Sequence, residues 1–96
     1  MPKYTLLVDW TAQGAIALRE SPARLDKARD MATAVGAVIE QIYMVMGEHD
    51  IIAVVDAPND DAIAKFVLRL AAGGSVRTKT IKAFSEDEYR AILGAL

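Results

Sequence analysis

Cysteine is absent from this chain, and other residue types that carry chemistry are scarce. The 96 residues include one histidine and one tryptophan. Without cysteine there can be no disulfide, thiolate nucleophile or thiolate metal site. Transition-metal sites normally recruit several imidazole or thiolate ligands, so a lone histidine argues against one. We therefore expect no metal ion.

Blocks of like charge and long apolar runs are also missing. Eleven basic and thirteen acidic residues give a net charge of -2 and are spread along the chain. This excludes the basic stripe that nucleic-acid binding requires. No stretch approaches the roughly 20 apolar residues of a membrane-spanning helix. The start, MPKY, lacks the features of a signal peptide. We expect a cytoplasmic protein of bacterial type, with neither nucleic acid nor membrane as partner.

What the chain does contain is a high proportion of apolar residues. Hydrophobic residues make up 53% of the sequence and charged residues only 25%. A chain of this length forms one domain, here residues 1–96, around one core. Its apolar content exceeds what one small core needs, and self-association is the simplest use of the excess. A homodimer or higher even oligomer is the expected state.

Apolar periodicity predicts four strands and two main helices. The strands are expected at residues 3–10, 37–46, 51–57 and 76–84. One helix follows Ser21, the expected N-cap, and closes at Gly36; another follows Asn59 and closes at Gly73 and Gly74. Ser85 begins a capping box for a short terminal helix. This order predicts an α+β, ferredoxin-like βαββαβ fold: a four-stranded antiparallel sheet, two helices on one face and a C-terminal helix.

The third strand, IIAVV, is apolar at every position. Ile52 and Val54 should face one side of the sheet, while Ile51, Ala53 and Val55 face the other. Two helices cover only one of these faces. The second face therefore either opens onto a ligand cavity or packs against another copy of the chain, and the two options are compatible.

His49 lies in the polar turn Gly47-Glu48-His49-Asp50 between the second and third strands. Imidazole groups can both donate and accept protons near neutral pH, which makes His49 the candidate acid or base. The alternative is a simple hairpin turn, with Gly47 in a positive-φ conformation and Asp50 bonding turn amides. Asp50 is poorly placed to orient His49, because consecutive residues at a strand start point in opposite directions.

Asp50 is also a candidate for ligand binding, and further ligand-binding candidates lie outside the turn. Arg77 and the neighbouring Thr78, on the last strand, could hold an anionic ligand, although basic residues also protect an exposed strand edge from aggregation. Trp10 and Tyr43 could line an apolar cavity or serve as core or interface residues.

Two other features are expected to be structural. Arg24, near the start of the first long helix, is expected to pair with a nearby carboxylate such as Glu20. Gly73-Gly74 ends a helix and lacks the lysine of a phosphate-binding loop, so we expect no nucleotide or other organic cofactor.

Four stretches resemble the GYD domain family when taken together in this order: LVDWTAQG, SPARLDKARDMATAVGA, MGEHDIIAVVDAP and SVRTKTIKAFSEDEY. The name-giving Gly-x-Tyr-Asp turn falls on Gly47, Glu48, His49 and Asp50, so histidine replaces the tyrosine here. The resemblance implies a dimeric α/β barrel. Barrels of this kind include cofactor-free monooxygenases, decarboxylating and dehalogenating enzymes, and stress-induced proteins, so the fold alone does not choose a function.

Three functions are consistent with these features. The first is a homo-oligomeric binding or accessory protein with a small organic or anionic ligand in a cavity on the sheet face. The second is a cofactor-independent enzyme (monooxygenase, decarboxylase or isomerase-like) in which His49 moves protons and Arg77 holds a substrate carboxylate. The third is a purely structural assembly protein.

Overall fold

The elements follow one another in the predicted order. The computed structural model describes all 96 residues. The strands are β1 (Lys3–Trp10), β2 (Val38–Met44), β3 (Ile51–Asp56) and β4 (Val76–Ala83), and the helices are α1 (Ala12–Ile16), α2 (Ser21–Ala34), α3 (Asp60–Ala72) and α4 (Glu86–Gly94). All strand pairs are antiparallel, in the order β2-β3-β1-β4. The predicted ferredoxin-like α+β fold is confirmed.

Local side-chain chemistry explains where the helices begin and end. Asn59 caps α3 by accepting a hydrogen bond from the Ala62 N–H at 2.9 Å. Gly36 and Gly74, which follow α2 and α3, adopt φ of 76° and 80°, as helix-terminating glycines do. The prediction of Ser21 as an N-cap is wrong. A 3-10 turn, Leu18–Glu20, runs directly into α2, so Ser21 already has helical φ and ψ.

The inner face of the sheet carries the core. Tyr4, Leu6 and Val8 alternate as buried residues along β1. Their partners on β3 are Val55, Ala53 and Ile51 respectively, so these side chains share one face. Ala32 from α2 and Phe66 from α3 pack against them. The two main helices therefore lie on this face.

The outer face is also apolar at its centre, but no helix covers it. Leu7, Ile52 and Val54 are its half-buried central residues. Tyr43 on β2 and Ile81 on β4 flank them and are 55% and 50% exposed. The prediction that β3 is apolar on both faces is confirmed.

The terminal helix α4 projects an uncovered apolar face. Ser85 and Glu88 form the predicted capping box, in which the Ser85 hydroxyl accepts from the Glu88 N–H and the Glu88 carboxylate accepts from the Ser85 N–H. Tyr89, Ile92 and Leu93 remain roughly half exposed. Neither α4 nor any other helix is long and apolar enough to cross a membrane.

Candidate functional site

His49 is held by Asp9, a residue 40 positions away in the chain. The Nδ1 atom of His49 lies 3.2 Å and 3.3 Å from the two carboxylate oxygens of Asp9. Both side chains are partly shielded from solvent, with 19% and 26% of their surface exposed. Donation from Nδ1–H to this carboxylate leaves Nε2 of a neutral ring as a proton acceptor. The arrangement orients the histidine as a base or as a ligand contact.

Asp50 fixes the loop against β1 and leaves His49 free to contact Asp9. Its Oδ2 atom accepts a hydrogen bond from the Trp10 N–H at 2.9 Å. Its own N–H donates to the Val8 carbonyl at 3.1 Å, and its carbonyl accepts from the Val45 N–H at 2.8 Å. The expected bonds from its carboxylate to amides of the turn are therefore replaced by a bond to β1. Gly47 has φ of 132°, so the expected positive φ is confirmed.

Arg77 lies at the same end of the sheet as the His49–Asp9 pair. It is the register partner of Asp9 and is exposed on the outer face. Thr78 follows it and therefore faces inward, where it is half-buried opposite Val8. Of the two candidates on β4, only Arg77 shares a face with Asp9. Because β4 is an edge strand, its basic residues also protect an unpaired edge.

Trp10 and Tyr43 lie on opposite faces of the sheet. Tyr43 is on the outer face of β2, and its hydroxyl donates to Oε1 of Gln41 at 3.3 Å. Trp10 points inward from the end of β1, and its indole N–H is buried without a hydrogen-bond partner. Within one chain, these two aromatic residues therefore cannot line the same cavity.

A cavity of about 560 Å³ lies between α2 and the inner face of the sheet. Most of its wall is hydrophobic, and Trp10 contributes to it together with Leu6, Leu25, Ile42 and Phe66. Leu25 and Ala28 of α2 line this space and are only half-buried, whereas Ala32 further along the helix is buried. The cavity is on the helix side of the sheet, the opposite side from the open face that the sequence identifies.

Arg24 also lines this cavity, but its guanidinium group donates hydrogen bonds to backbone carbonyl groups. Nη1 donates to the Ala17 carbonyl at 2.9 Å and Nη2 donates to the Gly14 carbonyl at 3.3 Å. The predicted pairing with a carboxylate such as Glu20 is wrong. The α1 helix and the residue that follows it place two backbone carbonyl groups beside Arg24, and these accept its hydrogen bonds.

The opposite end of β1 carries a second polar contact. The Tyr4 hydroxyl donates to Oδ1 of Asp60 in the first turn of α3, and Lys82 donates to the same oxygen at 3.1 Å. The hydrogen bond to Asp60, together with burial, raises the pKa of Tyr4 to about 12. The same bond and the Lys82 ammonium group lower the pKa of Asp60. This contact ties the start of α3 to the sheet.

Asp9 is the residue of this site that the sequence analysis missed. The signal available was weak: Asp9 is the only acidic residue within β1, at an outer-face position close to the strand end. Its closeness to the loop after β2 follows from β1 pairing with β3, which no local pattern reports. No group of three or more His, Cys, Asp or Glu side chains is placed to hold a metal ion.

Comparison with known proteins identifies the family of this chain. The family model described as the GYD domain matches residues 4–93. The chain belongs to the GYD domain family. The contact of His49 with Asp9 shows that the His49 ring faces the end of β1.

This GYD domain protein is similar to one relative in sequence and to two solved structures in fold. It is 32% identical over 84 residues to the glutamine synthetase and cystathionine beta-lyase binding protein of Thermus thermophilus, covering 86% of this chain and 88% of the relative. A feast or famine regulatory protein from M. tuberculosis, complexed with L-methionine, superposes with a TM-score of 0.67 at 18% identity over 88% of this chain. A hypothetical protein from Pyrococcus horikoshii superposes with a TM-score of 0.57 at 18% identity, over 90% of this chain and 93% of its own.

These structural matches define the fold. The GYD domain protein spans about half the length of the feast or famine regulatory protein, 51% of that chain. At 18% identity the likeness concerns the arrangement of strands and helices rather than any site.

Proposed function

We propose that this protein is a self-associating binding protein whose copies pack through the outer faces of their sheets. The supporting observation is the uncovered apolar patch formed by Leu7, Ile52 and Val54 with Tyr43 and Ile81. A contiguous apolar patch on a small chain marks an interaction surface. Two such patches meeting face to face would remove both from water.

The polar end of the same face is the proposed ligand site. Asp9, His49 and Arg77 lie there, beyond the apolar centre. The guanidinium group of Arg77 suits a carboxylate or another small anion, because its N–H groups form paired hydrogen bonds. A second sheet packed over the patch would shield this end from water and strengthen such a contact. A small organic or anionic molecule is the proposed ligand.

The name of the Thermus relative supports a binding role and suggests which proteins to test. That relative is described as binding glutamine synthetase and cystathionine beta-lyase. We propose enzymes of these two kinds as the first candidate partners of this chain. Pull-down of each purified enzyme by the tagged GYD domain protein, with the isolated tag as control, tests this directly.

Native mass spectrometry combined with sedimentation velocity tests self-association. We expect an even-numbered oligomer, with added mass if a small molecule is retained. Replacing Val54 by aspartate places an unpaired charge in the interface, and burying such a charge costs several kcal/mol, so the dissociation constant should rise about 100-fold or more. Leu68→Asp is the matched control, because Leu68 is 68% exposed on α3. A wild-type monomer at micromolar concentration contradicts the proposal.

A cofactor-independent enzyme is the second candidate, and the contact between His49 and Asp9 favours it. The carboxylate contacts Nδ1 and so orients the imidazole ring, as a catalytic base requires. Oxygen consumption with small phenols, without added cofactor, provides a screen. We expect turnover in the wild type and none in His49→Ala, with melting temperatures within about 4 °C of each other. Turnover that survives in His49→Ala contradicts this mechanism.

A purely structural assembly protein is the third possibility. It gains support if the native mass spectrum shows a bare oligomer and no screened phenol is consumed. In that case the outer faces would fill one another without leaving space for a ligand.

A further inference from the structure

Two opposite charges on the outer face of the sheet have no ion-pair partner within the chain: Glu40 on β2 and Lys79 on β4. Both residues are exposed, and neither belongs to any ion pair of the chain. Lys79 is the register partner of Leu7 and therefore shares its outer-face position. Because β2 and β4 are the two edges of the sheet, the two charges lie on opposite borders of this face.

Glu40 belongs to a corner of the outer face where Lys3 and Asp56 already form an ion pair. The register of β2 shifts between Ile39 and Gln41, which makes Glu40 the extra residue of a bulge. Lys3 and Asp56 are register partners, and their side chains lie 2.8 Å apart. The hydrogen bond to Asp56 raises the pKa of Lys3, and the nearby Glu40 carboxylate adds to this shift. Because Lys3 and Asp56 neutralise each other, Glu40 leaves this corner with one negative charge.

The apolar patch lies between these two charges. Across the sheet, Glu40 and Lys79 are separated by the central strands β3 and β1. Along the strands, Glu40 lies beside the row of paired residues that contains Val54. Lys79 lies in the next outer-face row, together with Leu7 and Ile52. The midpoint of the line from Glu40 to Lys79 therefore falls at the centre of the apolar patch.

We propose that a second copy of the chain packs on the outer face with its twofold axis oblique to the strands, so that Glu40 of each copy pairs with Lys79 of the other. An axis through the centre of the apolar patch, perpendicular to the line from Glu40 to Lys79, exchanges these two positions. Each contact in a twofold dimer occurs twice, so this orientation forms two ion pairs. The pairing rests on the proposed self-association and specifies its geometry.

Other orientations of the axis leave Lys79 without an opposite charge. With the axis parallel to the strands, Lys79 meets the region of Tyr43 on the partner; with the axis across the strands, it meets the region of Ile81. With the axis along the line between the two charges, Lys79 faces the same residue of the other copy. Covering a charge with apolar groups or with a like charge is costly, whereas an opposite charge compensates it. The oblique axis joins the patches and pairs the charges at once.

Charge reversal tests the pairing, because either change alone places like charges at both contacts of a dimer. Lys79→Glu and Glu40→Lys should each raise the dissociation constant about 10-fold or more. Sedimentation velocity measures this constant, and circular dichroism checks folding. Lys65→Glu is the matched control, because Lys65 is exposed on α3, on the helix side of the sheet. It should leave the constant within about 2-fold of the wild-type value.

Mixing the two variants tests whether these residues meet each other. In a dimer of one Lys79→Glu chain and one Glu40→Lys chain, both contacts again join a positive and a negative side chain. A C-terminal tag on one variant separates mixed from unmixed dimers by mass in native mass spectrometry. Mixed dimers should predominate and dissociate within about 3-fold of the wild-type constant. The double variant Lys79→Glu/Glu40→Lys, made in a single chain, should recover the same affinity.

The result for the wild type separates failure of the pairing from failure of self-association. A wild-type dimer whose affinity is unchanged in both single variants overturns the pairing alone. Statistical mixing of the two weakened variants, with no recovery in the double variant, also overturns the pairing alone. A wild type that stays monomeric at micromolar concentration overturns the proposed self-association and the pairing with it.

Discussion

The inner and outer faces of the sheet are both apolar at their centres, but the chain's own helices cover only the inner one. Val55 on the inner face is fully buried, while Val54, next to it on the same strand, is half-buried on the outer face. The strands alone therefore do not distinguish the two faces. What distinguishes them is which surface α2 and α3 meet, so the outer face stays uncovered within one chain.

Removing a large, fully buried core side chain should destabilise the packing on the inner face. Phe66 on α3 is 1% exposed and packs against the strands. Phe66→Ala should lower the free energy of unfolding by about 3–5 kcal/mol, because it removes buried apolar surface and leaves a cavity. Urea denaturation followed by circular dichroism measures this change.

Leu68→Ala is the control on the same helix. Leu68 is 68% exposed, so its loss should change stability by less than about 0.5 kcal/mol. Similar losses in the two variants would mean that the inner face is not the core.

Val54 and Val55, which are adjacent on β3, allow the stability contributions of the two faces to be compared. Val55→Ala should cost roughly 2–3 kcal/mol at any protein concentration, because the side chain is buried within one chain. Val54→Ala should cost less than about 1 kcal/mol at low concentration, and more once oligomers form. Unfolding curves over a 100-fold range of protein concentration separate the two effects. A cost for Val54→Ala that does not depend on concentration contradicts an interface on the outer face.

Two polar groups at opposite ends of β1 also differ. Trp10 has an unpaired N–H, whereas the Tyr4 hydroxyl is bound to Asp60. Tyr4→Phe should cost about 1 kcal/mol at neutral pH, the typical net value of one hydrogen bond.

The pH dependence of this contact has a definite sign. The folded pKa of Tyr4, about 12, lies above its ordinary value of 10.0, so the contribution to stability is complete below pH 10 and is lost as pH rises through 12. Wild-type stability should therefore fall relative to that of Tyr4→Phe across this window. Urea midpoints measured from pH 9 to 12 test it, and parallel curves would contradict the role of Tyr4.

Only part of the candidate site could be derived from the sequence. His49 and Asp50 were recognisable because they interrupt two apolar runs, and Gly47 because a tight turn needs positive φ. Once the fold is known, strand alternation places Arg77 and Thr78 on opposite faces of the sheet. Asp9 could not be assigned to His49, since the two meet only through the pairing of β1 with β3.

The sequence by itself determined the order of elements, the two-faced third strand and most helix ends, because periodicity, caps and glycines act within a few residues. The tertiary structure alone decided the contact of His49 with Asp9, the bond of Asp50 to β1 and the cavity beneath α2. These depend on strand register and on the distance between a helix and the sheet. Both arise from contacts between residues far apart in the chain.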